Sequence, residues 1–212
     1  MPAETNFKDR ILALSPSNDE VTDQLPRYVI DGCYDVINRI KGKDPQYLFK
    51  FTQKSAEISG ATTALASTGI RELIIVESSE IVCKEVSPAI KDKITSSSSI
   101  HYASAKDPVY YILDGSLTIA PTPTSAYYHY IPEYDSDTVN AGATVIGIVG
   151  TVGTQAFPTE YYEHLVVYAA IKNTEAMINQ YLEDDEDIEL VNAAQANLAS
   201  LKQRYESMFG GT

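Results

Sequence analysis

Tryptophan is absent from this 212-residue chain, and histidine occurs three times, at His101, His129 and His164. Basic side chains are scarce: 16 Lys and Arg stand against 29 Asp and Glu, for a formal net charge of -13. Gripping a phosphate backbone depends on Lys and Arg, so this balance argues against a nucleic-acid-holding surface. It is compatible with a surface that nucleic acid slides past. The two cysteines, Cys33 and Cys83, are far apart and lack metal-ligand spacing, which argues against a disulfide framework or a zinc site built on them. No apolar run approaches a membrane span. Met1-Pro2-Ala3-Glu4-Thr5-Asn6 is polar and does not read as a signal peptide, so the expectation is a soluble chain made in a cytoplasm.

What is present is enough for a folded core. Hydrophobic residues make up 44% of the chain, and one domain with an elaborated insertion is the default at this length. Fifteen tyrosines against five phenylalanines suit half-buried sheets and wet interfaces, where the ring packs and the hydroxyl stays solvated.

The catalytic patterns searched for are missing. Glu160 and His164 are four apart on one helical face, but no second His or Cys lies in register to complete a zinc site. No Gly-x-Ser-x-Gly elbow occurs. Ser96 to Ser99 reads as a linker. The segment Gly147-Ile148-Val149-Gly150-Thr151-Val152-Gly153 lacks both the lysine of a P-loop and the strand-to-helix spacing of a dinucleotide fingerprint. No cofactor, metal ligand or catalytic residue is assigned. The Glu183-Asp184-Asp185-Glu186-Asp187 run reads as a solvated helix junction.

Read along the chain, Asn6 to Leu14 is a short amphipathic piece. Ser17 to Glu20 offers a helix cap, and Pro26 suits the first turn of a helix that runs to Lys41 and closes at Gly42. Val29, Cys33, Val36 and Ile40 line its apolar face. Asp44-Pro45 begins another turn that reaches Phe51. Residues 60–69 read as loop or edge. Glu72 to Glu77 is a β-branched strand, turned by Ser79-Glu80 into Ile81 to Lys84. Ser87-Pro88 starts a short capped helix. Val109 to Leu113 and Ser116 to Ala120 flank Asp114-Gly115, the strongest hairpin signal in the chain. Ser125 to Ile131 is a further strand, rich in tyrosine. Val139 to Gly153 reads as a projecting Gly-rich loop. A central helix capped near Thr159 runs to Leu182, and a last helix follows from Asp187 to Met208. These two are expected to pair as an antiparallel hairpin.

Helices, then strands, then helices imply an α+β fold: a helical bundle with an inserted antiparallel β region. The expected boundaries are 1–58 for the N-terminal helices, 59–156 for the β insertion with its loop at 139–153, and 157–212 for the C-terminal hairpin and tail. Seven residues are the expected partner contacts: Tyr127, Tyr128, Tyr130, Val145, Ile148, Met208 and Phe209.

Three stretches carry a likeness to a known family. The first is Leu25-Pro26-x-Tyr28-x-x-x-Gly32. The second is Leu117-x-Ile119-x-Pro121-x-Pro123 followed by Tyr128-x-Tyr130-x-Pro132. The third is Pro158 with Tyr161 or Tyr162, then Leu165-Val166-x-Tyr168-Ala169-Ala170. In this order they resemble the head-to-tail adaptor, or neck, proteins of tailed bacteriophages. The Gly-rich loop at 139–153 is longer than that family's pattern. The resemblance implies a virion protein assembled in the host bacterial cytoplasm. It would form a closed ring, typically of twelve copies, between the portal protein and a tail or nozzle protein. Genome DNA would pass through without specific binding, and no membrane is involved. The acidic surplus fits a bore that repels phosphate. The competing expectations are a head-completion or tail-terminator protein, which shares the lack of site chemistry, and a small hydrolase, which needs the histidines to converge with an acid.

Overall fold

The computed structural model describes residues 6–15, 23–65, 69–135, 146–148, 157–183 and 188–210. In chain order these hold α1 (Phe7–Leu12), α2 (Leu25–Lys43), a 3-10 segment (Pro45–Phe51), β1 (Gln53–Lys54), β2 (Thr62–Ala64), β3 (Ile70–Ser78), β4 (Ile81–Val82), β5 (Lys84–Glu85), a 3-10 turn (Pro88–Ile90) and α3 (Lys91–Thr95). Then come β6 (Val109–Leu113), β7 (Ser116–Ala120), β8 (Ala126–Pro132), β9 (Tyr134–Asp135), β10 (Gly147–Ile148), a 3-10 turn (Thr159–Tyr161), α4 (Tyr162–Glu183) and α5 (Ile188–Phe209). The fold is α+β. Its contacts divide it into a helical unit, residues 1–51 with 134–212, and a β unit, residues 52–133.

In the helical unit, α4 is the central rod. Leu165, Val166, Val167, Ala169, Ala170 and Ile171 are all buried on it, because α1, α2 and α5 pack around it. Helix α2 buries Leu25, Val29, Cys33, Val36, Ile37 and Ile40, the face read from the sequence. It does not end at Gly42. The Asp44 amide still bonds the Ile40 carbonyl at 2.9 Å, and Asp44 is the cap. The stop comes from Pro45, which forces the residue before it out of the helical region. At Gly32 the two helices approach closely, since a Cβ there would meet Tyr168 Cδ1 at 3.1 Å. Two of the family-like motifs, 136 positions apart, thus touch through Gly32 and Tyr168.

The α1 end is pinned by polar side chains. Asn173 Nδ2 donates to Ser15 Oγ at 2.9 Å, Ser15 Oγ donates to the Ile11 carbonyl, and Asn197 Nδ2 donates to the Leu14 carbonyl at 3.0 Å. Asn6, as expected, starts α1 by accepting the Asp9 amide. Thr159 does not cap the long helix: Pro158 precedes a 3-10 turn with no side-chain cap. Helix α5 buries Val191, Ala194, Leu201 and Tyr205 as a seam. His164 near the start of α4 stacks on Phe209 at the end of α5, centroids 4.9 Å apart, as an antiparallel pair requires. The cap expected at Ser17 to Glu20 and the acidic connection at 184–187 lie outside the described residues.

The β unit is a small sandwich of two four-stranded sheets, ordered β1-β8-β3-β4 and β2-β7-β6-β5. Val76, Ala126 and Tyr128 from one sheet meet Tyr110, Leu117 and Ile119 from the other in a shared core. Asp114 and Gly115, with φ of 49° and 71°, make the two-residue turn that their sequence predicts. Ser79 and Glu80 adopt the same left-handed conformation, φ 49° and 68°, without a glycine. The expected all-antiparallel region has one exception: β5 pairs with β6 in parallel. Near Cys83 the chain leaves the first sheet and joins the second, so β5 arrives alongside β6 instead of folding back on it.

The insertion is shorter than the 59–156 read from the sequence. Its start moves back because Gln53 and Lys54 pair with Tyr130 and His129. Its end moves back because Tyr134 belongs to the helical unit. The Tyr134 amide donates to Tyr34 Oη at 3.2 Å, and its ring packs edge-on against Phe157 at 5.4 Å. Within the expected projecting loop, Gly147 and Ile148 form a buried strand paired with Asp135 and Tyr134. The rest of that loop lies outside the described residues.

Candidate interaction surfaces

The titratable groups sit in structural settings. His164 lies between Tyr161 and Phe209, with centroids at 5.4 and 4.9 Å. Burial, more than its bond to the Met208 backbone, sets its pKa, which falls below the ordinary value. Glu160, its imagined metal partner, pairs instead with Lys50 at 2.6 Å. His129 faces Glu77 across the sheet at 3.8 Å, and His101 is exposed in a turn. Among the described residues, no group of three His, Cys, Asp or Glu could hold a metal ion. Both thiols are buried and unoxidised. Burial pushes the Cys33 thiol well up and Cys83 to about 11, so neither supplies a thiolate at neutral pH.

Because the folded state holds His164 below its unfolded pKa, it binds that proton less readily than the unfolded chain. Stability is therefore unaffected above the unfolded value of about 6.5 and falls as pH drops below it. In His164→Gln, denaturation midpoints measured from pH 7.5 to 5 are expected to decline less steeply than in the parent. An unchanged slope would show that this histidine is not the titrating group.

Arg39 ties α2 to α5. Its Nε pairs with Asp35 at 2.7 Å and its Nη1 with Glu206 at 2.9 Å. The guanidinium lies over the rings of Tyr205 and Phe209 at 4.8 and 5.0 Å, and Tyr205 Oη donates to Asp35 at 2.7 Å. Lys43 donates to the Phe209 carbonyl, a lysine answering the exposed carbonyls of a helix end. Beside this junction a groove of about 580 Å³ opens between Ile40, Asp44, Tyr47, Tyr161 and Met208.

The seven expected contact residues have different fates. Tyr127 is half-buried on the outer face, with the Lys54 ammonium 3.8 Å from its ring centroid. Tyr130 is half-buried and stacks on Tyr128 at 5.5 Å. Tyr128 itself is a core side chain, because strand alternation turns it inward between Tyr127 and His129. Ile148 is buried in its strand pair. Met208 is half-buried at the groove, and Phe209 is sequestered by Tyr205, His164 and Arg39. The end of α5 is thus docked on its own chain, not free to add to a neighbour. Val145 lies outside the described residues.

The large apolar side chains that do face solvent are others. In the β unit they are Ile81 and Val82 on edge strand β4, Ile112 and Leu113 at the β6–β7 hairpin, and Ile100 and Tyr102 in the turn after α3. In the helical unit they are Tyr47 and Phe49, and Leu182, Ile188 and Leu190 where α4 ends and α5 begins. Two of these had a signal in the sequence. Ile100 stands between a serine run and a histidine, and Leu182, Ile188 and Leu190 flank an acidic run, both odd places for an aliphatic. Where such side chains adjoin in sequence on an edge strand, as Ile81 and Val82 do, they offer apolar area that contact with another molecule would bury.

No helix among the described residues is long and apolar enough to cross a membrane. Comparison of the chain with protein-family models and with curated proteins finds no match.

Proposed function

We propose that this chain is a structural virion protein of a tailed bacteriophage, a head-to-tail adaptor that forms a ring between portal and tail. The observation that carries the reading is that both units leave large apolar side chains in water, among them Ile81, Val82, Ile112 and Leu113 in the β unit and Leu182, Ile188 and Leu190 in the helical unit. A ring built head to tail needs two unlike patches on every subunit, and docking above and below needs more. A self-paired dimer needs only one. The meeting of Gly32 with Tyr168 adds support, because it gives the family-like motifs a shared structural role in the helical body.

In this role the helical unit is the subunit body and the β unit supplies contacts to neighbouring components. Apolar side chains at such contacts would be buried on assembly, each contributing roughly 1–2 kcal/mol in proportion to the area covered. The net charge of -13, repeated around a ring, would give a bore that repels phosphate and lets DNA pass without sticking.

The test is the mass of the purified chain, by light scattering, alone and with the portal protein of its own phage. The expected result is a ring-sized complex with portal. A chain that stays monomeric beside its portal ends the adaptor reading. A ring that forms only on assembled tails would make it a tail-terminator protein.

A further inference from the structure

Among the described residues, β2 and β5 are the edge strands of the second sheet, ordered β2-β7-β6-β5. At the β2 edge the Leu65 amide bonds the Gly115 carbonyl, and the Ala61 carbonyl accepts the Ile119 amide, both at 2.8 Å. Alternation along an antiparallel strand therefore turns the N–H and C=O of Thr62 and Ala64 away from β7. At the β5 edge the Lys84 amide bonds the Pro108 carbonyl at 3.0 Å, and the Val86 amide bonds the Tyr110 carbonyl at 2.8 Å. The N–H and C=O of Glu85, between them, point away from β6. Thr62, Ala64 and Glu85 are all exposed.

The two edges run the same way. β5 is parallel to β6, β6 is antiparallel to β7, and β7 is antiparallel to β2. A second copy rotated about an axis along the strands keeps that direction, so its β2 meets β5 as a parallel pair. In a parallel ladder one residue bonds the two that flank its opposite number. Lys84 already stands this way opposite Val109, donating to Pro108. Glu85 opposite Thr63 repeats the pattern: its N–H donates to the Thr62 carbonyl, and its C=O accepts the Ala64 amide.

Charge favours a second copy as the occupant. Two chains of net charge -13 repel over most of their surface. From Ile58 to Ile70 there is no Asp, Glu, Lys or Arg, and β5 carries one charge of each sign, Lys84 and Glu85. The two edges can meet without opposing like charges. β2 also lacks the lysine, proline or bulge that commonly protects an edge strand.

The flanks of these edges match as well. Ile81 and Val82, 38% and 55% exposed, lie on β4, the edge of the first sheet that leads into β5. Beside β2 a groove of about 410 Å³ is lined by Lys54 of β1, Ile58, Thr63 and Ala64, and Tyr128 and Tyr130 of β8. Joining second sheets edge to edge brings β4 of one copy beside β1 of the next, where the groove opens.

We propose that β5 of one copy pairs in parallel with β2 of a second copy, Glu85 opposite Thr63, with the apolar pair of β4 covering the groove beside β2. The contact is heterologous, so every copy offers one edge of each kind. The proposal deepens the ring reading and rests on it in taking a second copy as neighbour.

The test is sedimentation equilibrium of the full chain and two proline variants, Ala64→Pro and Glu85→Pro. Each removes one outward N–H, and an edge strand accepts proline where its N–H faces solvent, so near-parental denaturation midpoints are expected. The parent should self-associate with concentration, and each proline should weaken that association about tenfold. Ala64→Lys, which keeps the N–H but adds a guarding charge, should weaken it too. An equimolar mixture of Ala64→Pro and Glu85→Pro should form dimers and nothing larger, because each chain keeps the edge that the other has lost. A parent that stays monomeric at its highest soluble concentration, association indifferent to the edge substitutions, or a mixture no heavier than its components overturns the proposal. No portal is present, so these outcomes are separate from those that decide the adaptor reading.

Discussion

Replacing Gly32 by valine is expected to destabilise the helical unit by about 2–3 kcal/mol. A single Cβ at this position already meets Tyr168 Cδ1 at 3.1 Å and Cγ at 3.4 Å. Valine adds two methyl groups to that contact, and the branched side chain has little rotamer freedom on a helix with which to avoid it. The Tyr168 ring is half-buried and packs against Tyr205 of α5, centroids 5.7 Å apart, so moving it aside disturbs a second helix contact. Gly32→Ala is the informative control. Its gain in helix propensity of about 1 kcal/mol opposes a displacement of a few tenths of an ångström, so its net effect is expected to be small. Urea midpoints of the three proteins measure the difference. Equal stability for valine and glycine would mean that α2 and α4 do not approach as described. With a total stability of about 5–15 kcal/mol for a domain of this kind, the valine variant should also yield less assembly-competent protein.

In the β unit, Leu117→Ala is expected to cost about 3 kcal/mol. Leu117 is fully buried and lies between the two sheets with Ile119, Val76 and Tyr128. Truncation removes apolar contact and leaves a cavity that opposed sheets cannot readily close. Leu113, four residues earlier on the partner strand of the same hairpin, is 40% exposed, and Leu113→Ala should cost less than about 1 kcal/mol. The comparison uses denaturant midpoints with unchanged slope, followed by far-ultraviolet circular dichroism. Similar costs at both positions would contradict the sandwich.

Local features were read from the sequence because local physics decides them. Asp114-Gly115 tolerates left-handed backbone, and so the hairpin of β6 and β7 falls where it was expected. The face of α2 follows from its apolar spacing. Residues 60–69, read as loop or edge, hold the edge strand β2. Gly42 shows where such reading fails. A glycine near a helix end suggests a stop, but nothing in its own backbone forces one, and the helix continues until Pro45 acts.

The candidate contacts were less legible. Tyr127, Tyr128 and Tyr130 look alike as a run, yet Tyr128 enters the core while Tyr127 meets Lys54. Which parity faces inward depends on the second sheet, whose strands lie far away in sequence. Phe209 resembled part of a free tail until its partners Arg39, His164 and Tyr205 were placed around it.

The order and kind of the longer helices and of strands β3, β6, β7 and β8, the turn at Asp114-Gly115 and the buried stripe of α2 were therefore settled by the amino-acid sequence itself, through backbone preference and periodicity acting over a few residues. The tertiary structure alone decided that 52–133 is the β unit, that β5 runs parallel to β6, that Gly32 lies under Tyr168, and that Ile100 and Ile188 remain in water. Burial depends on what the rest of the chain brings to a side chain, and no local pattern contains that information.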